Sequence, residues 1–332
     1  MADNSIELLC IGNALVDVFA STDERFFVRH GLAEPVQHIE IEKLKEMISD
    51  LPAFTALSGG GAANVAKIAG SLGLKVSFTG AVGDDEFGRL FKENLAAAAV
   101  KPNLLTKPSP TGICLMLKNG SGGTGGETRI AASPSAALEL KESDINAEEL
   151  RKARIVMIDG FILNRPPLVS HIFRLLEQSG TAAAIDLAST GIAREYAAEI
   201  AGLVKRFPLI LFMNEAEAEA FSGGLKSSMQ QETLFENNTD SLTVVVKLGQ
   251  DGAICHSKGK MIRAKTQAVT PVDATGAGDA FCAGFLAAWI RNKPPGECAE
   301  FGNMAAATVL GAYGCRADEK ALKSLAAQLG KQ

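Results

Sequence analysis

The most informative stretch of the sequence is Val272-Asp273-Ala274-Thr275-Gly276-Ala277-Gly278-Asp279-Ala280-Phe281. An apolar segment with helical spacing follows it and reaches about Arg291. Gly276 and Gly278 let the backbone approach a ligand closely, and the free N–H groups of a helix start attract an anion. A capped helix after a glycine turn has a similar sequence, but Asp273 and Thr275 in the same loop favour a phosphate site. Because a helix start lowers the pKa of a nearby carboxyl, we expect a low pKa for Asp279.

A second glycine segment, Ser58-Gly59-Gly60-Gly61-Ala62-Ala63-Asn64, lies far upstream. The apolar residues after it recur at a period of 3.6, which predicts a helix. Such a loop brings backbone N–H groups and the Asn64 amide against a polar ligand. An amide both donates and accepts hydrogen bonds, so it suits a substrate rich in hydroxyl groups. The alternative is a glycine loop that only permits close packing.

Through most of the chain, short apolar runs alternate with segments of helical spacing. Nearly continuous apolar strands separated by helices are typical of a parallel sheet covered on both faces. The sequence therefore predicts an α/β fold. The predicted strands are Leu8–Ile11, Val76–Thr79, Ile155–Ile158, Ala182–Ile185, Leu209–Met213 and Leu242–Val246. The predicted helices include Phe87–Ala97, Leu168–Leu176 and Ile192–Val204.

Two regions interrupt this alternation, and they contain the strand-like stretches Val36–Ile41 and Ile113–Leu117 without obvious helices. We expect segments of about 14–40 and 108–135 to form a small β lid on a single domain that spans residues 1–332. Residues 119–126, Asn-Gly-Ser-Gly-Gly-Thr-Gly-Gly, predict a flexible turn within the second segment. Ordinary surface hairpins are the alternative interpretation.

Composition and charge exclude several function classes. The net charge is -5 and no run of Lys and Arg forms a basic face, which argues against nucleic acid as a partner. The apolar runs are too short to span a bilayer, so we expect no membrane association. Six cysteines without a CxxC pair and an amino terminus without a secretory signal predict a cytoplasmic protein. Gly120, Gly122 and Gly125 fit G-x-G-x-x-G, but no helix follows them, which disfavours a dehydrogenase.

Several ordered motifs resemble those of the ribokinase-like, or PfkB, carbohydrate and nucleoside kinases. Residues 273–279, Asp-Ala-Thr-Gly-Ala-Gly-Asp, are similar to the carboxyl-terminal signature of that family, and the glycine loop ending in Asn64 is similar to its amino-terminal signature. The motifs between them are Gly80-Ala-Val-Gly-Asp-Asp-Glu-Phe-Gly88, Asn214-x-x-Glu217 and Lys247-Leu-Gly-x-x-Gly252. The resemblance covers nearly the whole chain.

The resemblance implies a three-layer α/β/α domain with a β lid that binds ATP and Mg²⁺. It assigns Asp279 as the catalytic base and the backbone from Gly276 through Ala277 and Gly278 to Asp279 as an anion hole. It assigns to the acceptor hydroxyls Asn13, Asp17, Gly60 and Asn64. It assigns to the nucleotide Asn214, Glu217, Lys247, Gly249 and Asn303, with Glu217 reaching Mg²⁺ through water. Asp273 and Thr275 match positions that often help bind a monovalent cation such as K⁺.

The branch of the family that the chain resembles most is the adenosine-kinase-like one, on the evidence of Gly12–Asp17 and Phe212–Ala218. Adenosine kinases tend to carry two aromatic residues where this chain has Phe161-Ile162, so we expect one face for base stacking to be missing. A sugar or sugar derivative is therefore the expected acceptor, and a nucleoside is the alternative. A non-catalytic nucleotide or sugar sensor is an alternative of another class. The expected state is a monomer or a lid-mediated homodimer.

Overall fold

Two sheets organise the computed structural model, which describes residues 6–120, 128–203, 206–223, 241–266 and 269–330. The strands are β1 (Ile6–Ile11), β2 (Leu15–Thr22), β3 (Val36–His38), β4 (Thr55–Gly59), β5 (Val76–Gly83), β6 (Val100–Lys107), β7 (Gly112–Asn119), β8 (Thr128–Ser133), β9 (Ala153–Asp159), β10 (Ala182–Asp186), β11 (Leu209–Asn214), β12 (Leu242–Lys247), β13 (Ala253–Ser257) and β14 (Lys260–Ala264). The α-helices are α1 (Glu24–His30), α2 (Ile41–Ser49), α3 (Gly61–Ser71), α4 (Glu86–Ala97), α5 (Ala147–Lys152), α6 (Pro166–Ser179), α7 (Thr190–Glu195), α8 (Ala197–Leu203), α9 (Glu215–Phe221), α10 (Ala277–Ile290), α11 (Pro295–Ala307) and α12 (Glu319–Leu329).

The large sheet has nine strands in the order β14-β13-β12-β11-β10-β9-β1-β5-β6. The strands from β12 to β6 in this order run parallel, and β13 and β14 add an antiparallel edge. All six strands predicted from apolar runs lie in the parallel part, which confirms the α/β prediction. Buried strands of a parallel sheet are apolar on both faces, and this gave the runs their recognisable composition.

Alternate residues of the large sheet point to two separate cores. In β1, Leu8 and Cys10 pack on one face, and Leu9 and Ile11 pack on the other. Helices α3, α4 and α10 to α12 bury apolar residues against the first face, and α5 to α9 do so against the second. The result is the predicted three-layer α/β/α arrangement, because each face of the sheet needs its own cover.

The second sheet has five strands in the order β3-β8-β7-β2-β4. Four of them lie within the segments 14–40 and 108–135, whereas β4 was not predicted. The prediction of no helix in the first segment is wrong, because Asp23 accepts a hydrogen bond from Phe26 N and caps α1. The extended stretch predicted to reach Ile41 is also too long, since β3 ends at His38 and α2 begins at Ile41.

Short connections join the two sheets. The residues between β1 and β2 cross from the large sheet to the small one, and Gly60 leads back from β4 into α3. Val16 and Val18 of β2 share one continuous core with α3 and the large sheet. The connections therefore place small-sheet residues next to one edge of the large sheet.

One predicted helix is interrupted. The segment predicted as Ile192–Val204 forms α7 and α8, which are separated at Tyr196, where the backbone leaves helical geometry (φ -101°, ψ 9°). Val204 lies outside the described residues, as does most of the predicted flexible turn at 119–126. Within the described ranges, no helix is long and apolar enough to cross a membrane.

Candidate active site

The parallel strands end at one edge of the large sheet, and a cavity of about 270 Å³ opens there. Its wall includes Asp159, Asp186, Glu217, Lys247 and Asp279. Ligands of open α/β sheets bind outside the carboxyl ends of the strands, which is where this cavity lies. Four carboxyl groups and one ammonium group thus face a single space.

The start of α10 forms one side of the cavity. Gly276 is its N-cap residue in the left-handed region at φ 79°, and a Cβ at this position would collide with Cys315. At Gly278 a Cβ would lie 3.3 Å from Lys247 Nζ, a tight contact that the flexible lysine side chain can relieve. The Ala277 N–H donates to Ala274 O at 3.1 Å, so it is turned into the loop. Among the described residues, the N–H groups of Gly278 and Asp279 have no hydrogen-bond partner, so they are the free donors of this helix start.

Asp279 lies in the first turn of α10 and is joined to the second glycine segment. Its Oδ2 accepts a hydrogen bond from Asn64 Nδ2 at 2.8 Å. Burial raises the pKa of Asp279 to about 6, while the Asn64 bond acts in the opposite direction. The negative charge of Asp186 raises this pKa further and the positive charge of Lys247 lowers it. The expectation of a low pKa is therefore wrong, because desolvation outweighs the helix start.

An ion pair crosses the floor of the cavity. Lys247 Nζ donates to both carboxylate oxygens of Asp186, at 2.9 and 2.8 Å. The Cys282 thiol donates to the same carboxylate at 3.4 Å. Burial alone would lower the pKa of Lys247, but the charge of Asp186 holds it above its ordinary value. Lys247 thus keeps its positive charge beside the cavity.

Asn214 and Glu217 form a capping box at the start of α9. Asn214 Oδ1 accepts from the Glu217 N–H at 2.8 Å, and the Asn214 N–H donates to Glu217 Oε2 at 2.9 Å. The Asn214 Nδ2 also donates to Glu217 Oε1 at 2.9 Å. Burial raises the pKa of Glu217, and its carboxylate faces the cavity. Asn214 therefore acts on the cavity through Glu217, whose carboxylate it orients.

The residues predicted to hold the acceptor lie beside Asp279, where the two sheets meet. Asn13 is buried, and its Oδ1 accepts from an Arg165 nitrogen at 2.8 Å. Gly60 adopts φ 86°, and a Cβ there would collide with the carbonyl oxygen of Asn13. Asp17 is buried with its carboxyl directly against Gly59. The two glycines are thus required for close approach.

Besides Asn214, two residues predicted to bind the nucleotide do not line the cavity. Asn303 is buried in α11 and donates to the carbonyl oxygens of Ala264 and Lys265 at 3.3 Å each, so it anchors the end of β14. Gly249 follows β12 at φ 58° and lies outside the cavity wall. The amide donor of Asn303 is thus occupied by the backbone.

The loop before α10 is held by hydrogen bonds of its own. Asp273 Oδ1 accepts from the backbone and hydroxyl of Thr275 at 3.0 and 2.8 Å, and its Oδ2 accepts from the Gly314 N–H at 2.8 Å. These bonds engage both oxygens of Asp273. In the described part of the chain, no group of three or more His, Cys, Asp or Glu residues forms a metal cluster.

Two cavity carboxylates were missed by sequence reasoning. Asp159 and Asp186 are the last residues of β9 and β10 and are register partners. Both directly follow predicted apolar strands, so their positions at strand ends were a usable signal. Phe161 also faces the cavity and is 44% exposed, whereas Ile162 beside it is fully buried.

Comparisons with known proteins agree with this geometry. A model of the pfkB family carbohydrate kinase matches residues 7–322. The chain is 26% identical to adenosine kinase 2 of Arabidopsis thaliana, over 94% of this chain and 96% of that protein. It is 27% identical to a 5-dehydro-2-deoxygluconokinase of Geobacillus kaustophilus, over 79% of this chain and 81% of that protein. The crystal structure of adenosine kinase from Sinorhizobium meliloti superposes with a TM-score of 0.84 at 25% identity, covering 98% of this chain and 99% of that chain.

Proposed function

The chain belongs to the pfkB family of carbohydrate kinases, and on that premise we propose that it transfers the γ-phosphoryl group of ATP to a hydroxyl of a sugar or sugar derivative. The enzyme is a phosphotransferase with an alcohol group as acceptor. The observation that carries the assignment is the 2.8 Å bond between Asn64 and Asp279 at the free start of α10. It brings the two glycine segments, which are far apart in the chain, to one carboxylate.

 The bonded residues Asn64 and Asp279 are themselves 215 positions apart in the chain.

The start of α10 supplies the groups that phosphoryl transfer needs. This reaction depends mostly on positioning and on stabilising negative charge, since its transition state is loose. The free N–H groups of Gly278 and Asp279 and the ammonium of Lys247 converge on one side of the cavity. We assign them to the transferring phosphoryl group, where the loss of one such donor costs about 10²–10³ in rate.

Asp279 is the group that we assign as the base. Its carboxylate faces the cavity, and its pKa of about 6 lets it take up a proton more readily than an ordinary aspartate. The Asn64 amide fixes one of its oxygens and leaves the other for the acceptor hydroxyl. The hydroxyl oxygen forms a bond to the γ-phosphorus of ATP while the bond from that phosphorus to ADP breaks. The proton of the hydroxyl passes to Asp279.

The acceptor side consists of Asn13, Asp17, Gly60 and Asn64. The Oδ1 atom of Asn64 is buried without a hydrogen-bond partner, and a hydroxyl donor from the acceptor would satisfy it. Because the Oδ1 of Asn13 is engaged by Arg165, that residue presents its amide donor. Hydrogen-bond donors and acceptors are therefore both available to the hydroxyls of a bound sugar.

The carboxylates opposite α10 fit Mg²⁺. Glu217 and Asp186 both face the cavity, and Mg²⁺ favours one or two carboxylates together with water and phosphate oxygens. We assign Glu217 to the water shell of the ion, with Asp186 beside it. When bound with ATP, Mg²⁺ neutralises charge on the phosphates. The assignments of Asp273 and Thr275 to K⁺, and of Gly249 and Asn303 to the nucleotide, remain predictions of the family resemblance.

The five-stranded sheet is proposed to act as the lid over the acceptor. Asp17 lies in β2 of this sheet and Gly60 directly follows β4, so closure of the sheet would carry both toward the cavity. Closure of this kind excludes water from a reactive phosphoryl group. Its edge strands are β3 and β4. The N–H and the carbonyl oxygen of Ser58 in β4 are engaged by Asn94 and Lys67, so β3 is the edge that we propose to pair with another strand in a homodimer.

A nucleoside is the second candidate acceptor, and Phe161 is the observation that favours it. Its ring faces the cavity and is 44% exposed, so one aromatic face is available for a base. The two relatives named as adenosine kinases match almost the full chain. The buried Ile162 leaves the second stacking face without an aromatic group, which keeps the sugar derivative as the first candidate.

The test is ADP release from ATP and Mg²⁺ with a panel of acceptors, in the presence and absence of K⁺. The panel contains adenosine, inosine, ribose, fructose and 2-keto-3-deoxygluconate. Acceptor-dependent ADP that disappears in Asp279→Asn, while ATP binding persists, supports the kinase and identifies its acceptor class. Undiminished turnover in Asp279→Asn overturns the assignment of the base. ATP and acceptor binding without any ADP supports the sensor.

A further inference from the structure

Lys67 lies beside the proposed acceptor site but has no part in the mechanism above. It follows Asn64 by three residues in α3, so both side chains leave the same face of the helix. Asn64 donates to Asp279, and the Lys67 ammonium donates to the carbonyl oxygen of Ser58 in β4. One helix face therefore reaches both the base and the strand before the glycine loop.

Asp17 meets the same strand one residue further along. Its carboxyl lies directly against Gly59, the neighbour of the Ser58 carbonyl that Lys67 binds. In the pairing of β2 with β4, Val16 is opposite Ser58 and Asp17 is opposite Leu57, so the Asp17 side chain reaches diagonally to Gly59. Lys67 and Asp17 thus converge on adjacent residues of β4 from two different elements.

The charges around this pair are few. Asp279 and the thiols of Cys114 and Cys315 interact electrostatically with Asp17, and Asp279 and Cys315 also do so with Lys67. Burial raises the pKa of Asp17 to about 7, Lys67 lowers it and Asp279 raises it. The positive charge of Lys67 therefore counteracts the rise in the pKa of Asp17 that burial causes.

We propose that Lys67 is a positioning residue that keeps Asp17 as a charged hydrogen-bond acceptor for the hydroxyls of the substrate. This inference rests on the proposed function, since it takes Asp17 as an acceptor-binding residue. A carboxylate accepts hydrogen bonds with both oxygens, whereas a protonated carboxyl uses one of them as a donor. Without the ammonium, burial and the nearby Asp279 would favour the protonated form, which binds hydroxyl groups less well.

The first experiment compares the pH dependence of kcat/KM for the acceptor in three variants. Lys67→Gln keeps a hydrogen-bond donor near Ser58 O but removes the charge, and Lys67→Arg keeps the charge. Asn94→Ala is the matched structural control, because Asn94 Oδ1 accepts from the Ser58 N–H at 2.9 Å and is uncharged. We expect Lys67→Gln to shift the acid limb of the kcat/KM profile to a pH higher by about one unit or more. We also expect it to raise the KM for the acceptor more than it lowers kcat. We expect Lys67→Arg and Asn94→Ala to keep the wild-type limb.

A limb that is unchanged in Lys67→Gln, or one that moves equally in Asn94→Ala, overturns the proposal. The second experiment needs no turnover and separates this inference from the proposed function. The carboxyl carbon of Asp17 is titrated by NMR in ¹³C-aspartate-labelled protein, with its signal assigned through Asp17→Asn. A pKa of Asp17 that rises in Lys67→Gln and not in Lys67→Arg supports the proposal even where no acceptor is phosphorylated. Equal values in wild type and Lys67→Gln contradict it.

Discussion

Replacing Asp279 by asparagine is expected to stabilise the folded protein at neutral pH while it abolishes turnover. Burial raises the pKa of this carboxyl from 3.8 to about 6. The folded state then binds the proton more tightly than the unfolded state, so stability falls as pH rises between these two values. At pH values above both, the ionised carboxylate lowers the free energy of unfolding by up to about 3 kcal/mol. Asp279 keeps some exposure to solvent, and the substitution removes the charge-assisted bond from Asn64. We therefore expect a net gain in the free energy of unfolding of about 1–2 kcal/mol.

The measurement is urea-induced unfolding of wild type and Asp279→Asn at about pH 7.5 and about pH 4, where the gain should be present and absent respectively. Asp273→Asn is the control, because Asp273 accepts hydrogen bonds from Thr275 and Gly314 and its replacement should destabilise. A variant Asp279→Asn that is less stable than wild type near pH 7.5 would refute the argument. A gain of the same size at both pH values would do so too.

Three further outcomes are expected. Gly276→Ala should lose at least about 1–2 kcal/mol of stability in urea unfolding, since φ is 79° and the new Cβ meets Cys315, and its kcat should fall with the displaced helix start. Asp186→Asn should cost about 3 kcal/mol by leaving Lys247 without its counter-charge; a double-mutant cycle with Lys247→Met should show strong coupling, and additive losses would contradict it. Phe161→Ala should raise the KM for adenosine about tenfold and leave that for ribose unchanged, as steady-state kinetics on both acceptors will check.

Six of the nine strands of the large sheet were predictable because they are buried on both faces and so carry unbroken apolar runs. The strands at its two ends, β6, β13 and β14, were not predicted, and β6 and β14 are partly exposed. The small sheet was less accessible to sequence reasoning. Its strand β4 reads Thr-Ala-Leu-Ser-Gly, a run with few large apolar residues, and only its pairing with β2 identifies it. The three-residue β3 likewise depends on its partner β8. Long-range pairing decides such strands, and local composition does not contain it.

The site was predictable where residues lie in glycine-rich motifs and less so where strands end. Asp159 and Asp186 stand alone after their strands, so their meeting in one cavity depends on the order of strands in the sheet. The pKa of Asp279 was predicted in the wrong direction because the sequence shows the helix start and not the depth of burial. Lys67 was hidden in the same way, as it appears in the sequence as an ordinary residue of a helix.

The short connections between the two sheets have a consequence for how such an enzyme can change over generations. Glu217, Lys247 and Asp279 all belong to the large sheet and its helices, whereas Asp17 belongs to the small one. If Asp17 binds the acceptor as proposed, mutations in the small sheet alter which alcohol is accepted while the residues assigned to the phosphates are inherited unchanged. A library confined to β2, β4 and β7 would explore new acceptors in the laboratory by the same route.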